Sequence, residues 1–136
     1  MSHTILKERC KNVIKYNKLV RDKIPDIIKN DGRTASYYTL SEEEYRIELD
    51  KKLNEEVNEY QIDKNLEEMA DILEVLYGIC KARGFTIDEL EAKRKEKALL
   101  RGNFDNRVFL EFAEDEYKTN DETGSTFSEM VNTHKK

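Results

Sequence analysis

Ser41-Glu42-Glu43-Glu44 is the segment that most narrows what this chain can become. A Ser followed three residues later by Glu is a capping box. Its hydroxyl satisfies an orphan amide in the first helical turn, while the carboxylate returns to the amide of the Ser. Leu40 and Tyr45 flank it in the positions of a hydrophobic staple, and Leu49, Leu53, Val57 and Tyr60 then recur at helical spacing. A second box, Thr86-Ile87-Asp88-Glu89, opens another helix that runs to about Arg101, before Gly102. Between the two lies the most apolar helix, Leu66 to roughly Arg83, ended by Gly84 and carrying the wide apolar arc of a central element. The break at Gln61-Ile62-Asp63-Lys64-Asn65 is short enough to turn this helix antiparallel to the one before it. The chain therefore reads as all-α, a helical hairpin with flanking helices.

The rest of the chain is read more coarsely. Residues 1–15 form an N-terminal extension, 16–112 the helical domain and 113–136 a polar, turn-rich, mobile tail. Pro25 suits the first position of a short helix bearing Ile27 and Ile28, with Gly32 placed to end it. Thr34 to Leu40, with Tyr37, Tyr38 and Thr39, reads as extended, either as a connection or as a short strand. Val108, Phe109, Leu110 and Phe112 form an apolar segment expected to dock on the helices. Hydrophobic residues make up 38% of the 136 and charged ones 39%, against a usual charged share of about 25%. Helices so lightly apolar complete their burial against a second subunit.

Net charge is −5, so no overall positive field recruits a nucleic acid polymer or an anionic membrane. No run approaches the ~20 apolar residues of a membrane span, and the first residues lack the apolar core of a secretory signal. Cys10 and Cys80 have no metal-like spacing, and Cys80 falls in the apolar periodic stretch as a reduced core thiol. The expected setting is cytoplasmic.

Chemistry is sought where a sequence breaks its own pattern. At about 100° per residue, Glu56 falls only about 20° from Tyr45, inside the apolar arc, and Glu59 lies about 40° to the other side. On the next helix, Glu68 falls between the wheel positions of Val75 and Ile79, with Asp71 just past the edge of the arc. Each pair has i, i+3 spacing, and the antiparallel connection brings the pairs together. Four inward carboxylates cannot all remain ionised without a cation. Oxygen ligands with no His or Cys among them favour Mg²⁺, with Mn²⁺ as a substitute. Glu55, Glu67 and Glu74 read as solvated neighbours or as further ligands.

Glu55-Glu56-Val57-Asn58-Glu59 followed by Glu68-Met69-Ala70-Asp71 resembles the EExxE and ExxD signature of the all-α, MazG-like nucleotide pyrophosphohydrolase superfamily. Lys18-Leu19-Val20-Arg21-Asp22-Lys23-Ile24-Pro25, Lys93-Arg94-Lys95-Glu96-Lys97 and Arg101-Gly102-Asn103-Phe104 resemble its compact branch, similar to phosphoribosyl-ATP pyrophosphohydrolases. The likeness runs from Tyr16 to Leu110. It implies Mg²⁺-dependent hydrolysis of a nucleoside triphosphate to monophosphate and pyrophosphate, in nucleotide-pool housekeeping. Glu56, Glu59, Glu68 and Asp71 would be the metal ligands, and Glu55 or Glu67 would act on the attacking water. The resemblance also implies a homodimer or larger assembly in which two hairpins make a four-helix bundle. Only eight residues separate Glu59 from Glu68, so base recognition falls to other segments or to a second subunit.

Cations for the substrate phosphates come from two places. Lys93, Lys97 and Arg101 form an i, i+4, i+8 stripe with Arg94 beside it. The stripe either clamps phosphates or is a solvated face paired with Glu89, Glu91 and Glu96. Lys18, Arg21 and Lys23 precede Pro25 and either reach the phosphates or form salt bridges within the N-terminal packing. Tyr37 and Tyr38 either stack on a base or belong to the strand. Two rivals share these residues: a phosphoribosyl-ATP pyrophosphohydrolase of histidine biosynthesis, and a non-catalytic helical interaction or regulatory module whose inward acids pair with Lys or Arg.

Overall fold

A computed structural model describes residues 12–116. The expectations for Cys10, for most of the N-terminal extension and for most of the polar tail fall outside these residues. Among these residues four helices follow in order: α1 Ile24–Asn30, α2 Glu42–Asp63, α3 Leu66–Ala82 and α4 Ile87–Arg101. Among the described residues there is no strand, and no helix is long and apolar enough to cross a membrane.

Local chemistry explains each boundary. Both halves of the Ser41 capping box form: the Glu44 amide donates to Ser41 Oγ at 3.2 Å, and the Ser41 amide donates to Glu44 Oε1 at 3.4 Å. Helix α2 runs through Gln61-Ile62-Asp63, so the turn is shorter than the expected break. Lys64 in the left-handed region (φ 49°) and Asn65 alone make the connection. Asn65 caps α3 by accepting from the Glu68 amide at 2.9 Å. Helix α3 ends in a Schellman motif: Gly84 (φ +87°) lets its own amide reach Lys81 O and the Phe85 amide reach Cys80 O, both at 3.0 Å. Thr86 then caps α4, accepting from the Glu89 amide at 3.1 Å, with its hydroxyl donating to the Glu89 carboxylate. Pro25 sits in the first turn of α1 as expected.

Helices α2 and α3 are the pair that packs. They come close at Gly78, where a Cβ would stand 3.1 Å from Leu49 Cδ2 and 3.6 Å from the Tyr45 hydroxyl. Leu49 and Cys80 are buried there, and the Cys80 thiol donates to Thr86 O at 3.3 Å. Leu49 and Gly78 are equidistant along the chain from the turn at Asp63–Lys64. Glu56 with Asp71, and Glu59 with Glu68, share that same register. Two helical turns from Leu49 reach Glu56, and two from Asp71 reach Gly78. One antiparallel register thus sets both the apolar contact and the facing acids.

Three expectations need correction. Thr34 to Leu40 forms no strand, because no segment among the described residues pairs with it in a ladder. Tyr37 and Tyr38 are exposed, with the Lys29 ammonium 4.9 Å from the Tyr37 ring centroid. The inward row of α2 is rotated from the expected apolar arc: Tyr45 and Val57 each retain 36% exposure, whereas Glu56 retains 6%. The chain divides after Glu96 into two units. In the second, Val108, Phe109, Leu110 and Phe112 are exposed.

Candidate metal centre

Glu56, Glu59, Glu68 and Asp71 come together as the sequence spacing requires. Each offers a carboxylate oxygen, and all four oxygens lie within 4.8 Å of one another. Glu56 is buried and the other three are half-buried. Acidic clusters are common on protein surfaces, so the state of the individual oxygens matters more than the count. Glu56 Oε2 and Glu68 Oε2 are buried without any hydrogen-bond partner. A buried acceptor left without a donor carries its desolvation cost uncompensated.

The ionisation of the cluster reflects this strain. Burial pushes the Glu56 carboxyl above its ordinary value, Lys52 opposes that, and neighbouring Glu59 adds to it. Loss of solvation also raises Glu68, reinforced by the charge of Asp71. Among the described residues two cations pair directly with the four acids, and Lys18 acts on Glu59 and Glu56 through space. Lys52 Nζ lies 3.2 Å from Glu56 Oε1, and Arg21 Nη2 lies 2.6 Å from Asp71 Oδ1. Neither Glu59 nor Glu68 forms an ion pair among the described residues. The cluster therefore retains uncompensated negative charge facing unfilled acceptors, and its donor set is oxygen alone. Those are the features a hard divalent cation such as Mg²⁺ or Mn²⁺ satisfies.

Beside the four, Glu55 accepts from Lys18 at 2.6 Å and from Lys52 at 3.3 Å. Partial burial pushes its carboxyl up, but the two lysines prevail and hold it below its ordinary value. The Lys18 ammonium is raised in turn, chiefly by its hydrogen bond to Glu55. Lys52 bridges Glu55 to Glu56 and so joins Glu55 to the centre. Glu67 is exposed in the first turn of α3 and lies outside the four-oxygen group. A cavity of about 120 Å³ adjoins Glu55, lined by Lys18, Lys51, Lys52 and Glu48.

The remaining expected cations are less concentrated. Lys93 pairs with Glu96 at 2.8 Å, and Arg94 grips Glu91 through Nε and Nη2. These are pairings of the kind the solvated-face alternative describes. Lys97 and Arg101 are exposed on the last turns of α4, and Lys23 is exposed at the N-cap of α1. None of these three forms an ion pair among the described residues.

Lys52 was missed in the sequence. Its signal was present: it lies on the row Leu49, Lys52, Glu56, Glu59, so an inward cation accompanies the inward acids at i, i+4 spacing.

Over 41 residues the chain is 56% identical to an uncharacterized protein of Mycolicibacterium smegmatis. That stretch covers 30% of this chain and 42% of the other. No protein-family model and no solved structure matches the chain. The match is a likeness over one segment and carries no activity with it.

Proposed function

We propose that the four-carboxylate centre holds Mg²⁺, and that the chain is a nucleoside triphosphate pyrophosphohydrolase of the MazG-like kind, releasing pyrophosphate and nucleoside monophosphate in nucleotide-pool housekeeping. The observation that carries this reading is the pair of partnerless buried oxygens, Glu56 Oε2 and Glu68 Oε2, in a cluster contributed by two helices. The EExxE and ExxD pattern on those helices supports the same reading. A divalent ion held by Glu56, Glu59, Glu68 and Asp71 supplies charge neutralisation for phosphate oxygens and Lewis acidity toward water. The chain's own groups orient and hold. Glu55, kept ionised by Lys18 and Lys52, is better placed than exposed Glu67 to accept a hydrogen bond from the attacking water. Of the cations expected to meet phosphates, Lys18 and Arg21 are the two that pair with carboxylates at or beside the centre, and they are the best placed for that role. Phosphoribosyl-ATP is a substrate of the same chemical class, and the same centre serves it.

A second reading has an observation in its favour. Lys52–Glu56 and Arg21–Asp71 are the Lys/Arg pairings expected of a non-catalytic regulatory module. Glu59 and Glu68 have no direct ion pair among the described residues, which leaves that pairing incomplete and favours the metal.

A homodimer belongs to the same proposal. Leu66, Met69, Leu73 and Leu76 follow 3-4-3 spacing along α3 and are all exposed. A row at that spacing is the seam a partner helix covers. A second copy's hairpin would complete a four-helix bundle.

The deciding assay is pyrophosphate release from a panel of canonical, deoxy and modified nucleoside triphosphates plus phosphoribosyl-ATP, with and without Mg²⁺, beside Glu68→Gln. Mg²⁺-dependent release lost in the variant supports the enzyme. No release from any substrate by folded, Mg²⁺-supplied protein supports the module.

A further inference from the structure

We propose that Arg21 is an exchangeable counter-ion: it holds Asp71 until a divalent cation takes that carboxylate, and the released guanidinium then binds the phosphate chain of the substrate. The inference rests on the metal reading of the four acids and concerns what the N-terminal segment does there.

Residues 18–23 precede α1 and send two cations onto the hairpin. Arg21 Nη2 meets Asp71 Oδ1 at 2.6 Å, and Lys18 Nζ meets Glu55 Oε1 at 2.6 Å. Asp71 is one of the four residues whose oxygens converge. Arg21 takes one of the two Asp71 oxygens, and its fixed positive charge at that carboxylate repels a second cation drawn to the same group. Arg21 and a divalent ion therefore compete for Asp71. The competition is winnable, because the Arg21 side chain is 55% exposed and such ion pairs are weak. Lys52 differs. It is largely buried between Glu55 and Glu56, and it is fixed on α2 itself. Arg21 comes from an irregular segment and can move without disturbing the hairpin.

Release places the cation where it is next needed. A guanidinium cannot lose its charge, and its planar fork matches two phosphate oxygens. Freed from Asp71, it remains tethered beside the acids, on the segment that also carries Lys18. The cavity lined by Lys18, Lys51 and Lys52, with Glu48 and Glu55 among them, is formed in part by that segment. It has room for about four waters at liquid density and can admit a phosphate group. Metal loading thus converts an acid-binding segment into a phosphate-binding one, which orders binding as metal first and nucleotide second.

The test is Mn²⁺ titration by calorimetry of wild type, Arg21→Gln and Arg33→Gln, followed by titration of inorganic pyrophosphate into each Mn²⁺-loaded protein. Arg33→Gln removes the same charge from the exposed Arg33–Asp31 pair and serves as the control. Arg21→Gln should bind Mn²⁺ about two- to fivefold more tightly, the equilibrium equivalent of one accessible ion pair, and should bind pyrophosphate more weakly. Hydrogen exchange at residues 18–23 should speed up when Mn²⁺ is added and slow again with pyrophosphate. Unchanged or weaker Mn²⁺ binding by Arg21→Gln, with wild type binding normally, overturns the exchange and leaves the metal centre standing. A wild type that binds no Mn²⁺ overturns both.

Discussion

The hairpin register rests on the contact between Leu49 and Gly78, and a double-mutant cycle there tests it. Leu49 is 4% exposed, and a Cβ at Gly78 would stand 3.1 Å from its Cδ2. Truncating the leucine in Leu49→Ala should cost about 2–4 kcal/mol through lost burial and the cavity left behind. Gly78→Ala is a balance of two terms. Alanine in a helix interior gains about 1 kcal/mol over glycine, while a 3.1 Å contact crowds a methyl end that must shift, costing about 1–2 kcal/mol. In wild type the net should be near zero or destabilising. In the Leu49→Ala background the obstructing methyl is gone and only the gain remains. The cycle should therefore show a favourable coupling of about 1–2 kcal/mol, well above the ~0.5 kcal/mol expected of independent sites. Urea unfolding followed by far-ultraviolet circular dichroism reads all four proteins. If Gly78→Ala shifts stability equally in both backgrounds, the helices do not approach at this point. The register that sets Glu56 opposite Asp71 then loses its support.

Other outcomes follow from the centre and its surroundings. Glu56 and Glu68 bind protons more tightly folded than unfolded, so their contribution to stability is full below about pH 4.5 and is lost as pH rises through their elevated folded values. Without divalent ions, the Tm difference between wild type and Glu56→Gln/Glu68→Gln should therefore move against wild type from pH 5 to pH 7.5; a constant difference refutes the assignment. Lys52→Met leaves the buried Glu56 carboxylate without its cation and should cost about 3 kcal/mol in EDTA, with most of that recovered on adding Mg²⁺; a melt that Mg²⁺ does not move counts against it. Leu73→Glu places a charge in the exposed α3 row and should convert a dimer to monomer by light scattering, whereas unchanged mass in a dimeric protein removes that row from the interface.

Much of this architecture was legible in the residues because it is written locally. Ser41 with Glu44, Thr86 with Glu89, and Gly84 declare helix ends through hydrogen bonds spanning only a few residues. The four acids were legible because i, i+3 spacing fixes a face, and a short turn fixes what faces it. Their convergence within 4.8 Å needed no further information. The rotation of α2 was less legible, since Tyr45 and Val57 outweigh Lys52 and Glu56 in any hydropathy reading, yet the polar pair is the more buried. Thr34 to Leu40 misled for a different reason: β-branched and aromatic residues favour strands only where a partner strand exists, and pairing is not a local property. The destination of Arg21 could not be read either, because an irregular segment has no periodicity from which to project a contact 50 residues away.

The measurement that bears most directly on the four-carboxylate centre is Mn²⁺ binding to the full chain at pH 7.5, followed by electron paramagnetic resonance and calorimetry in wild type, Glu56→Gln and Glu68→Gln. A metal centre requires saturable binding with proton release in wild type, a rise in Tm with Mn²⁺, and affinity lowered about tenfold or more in each variant. Wild type that binds no more Mn²⁺ than either variant, while all three remain folded, would contradict it.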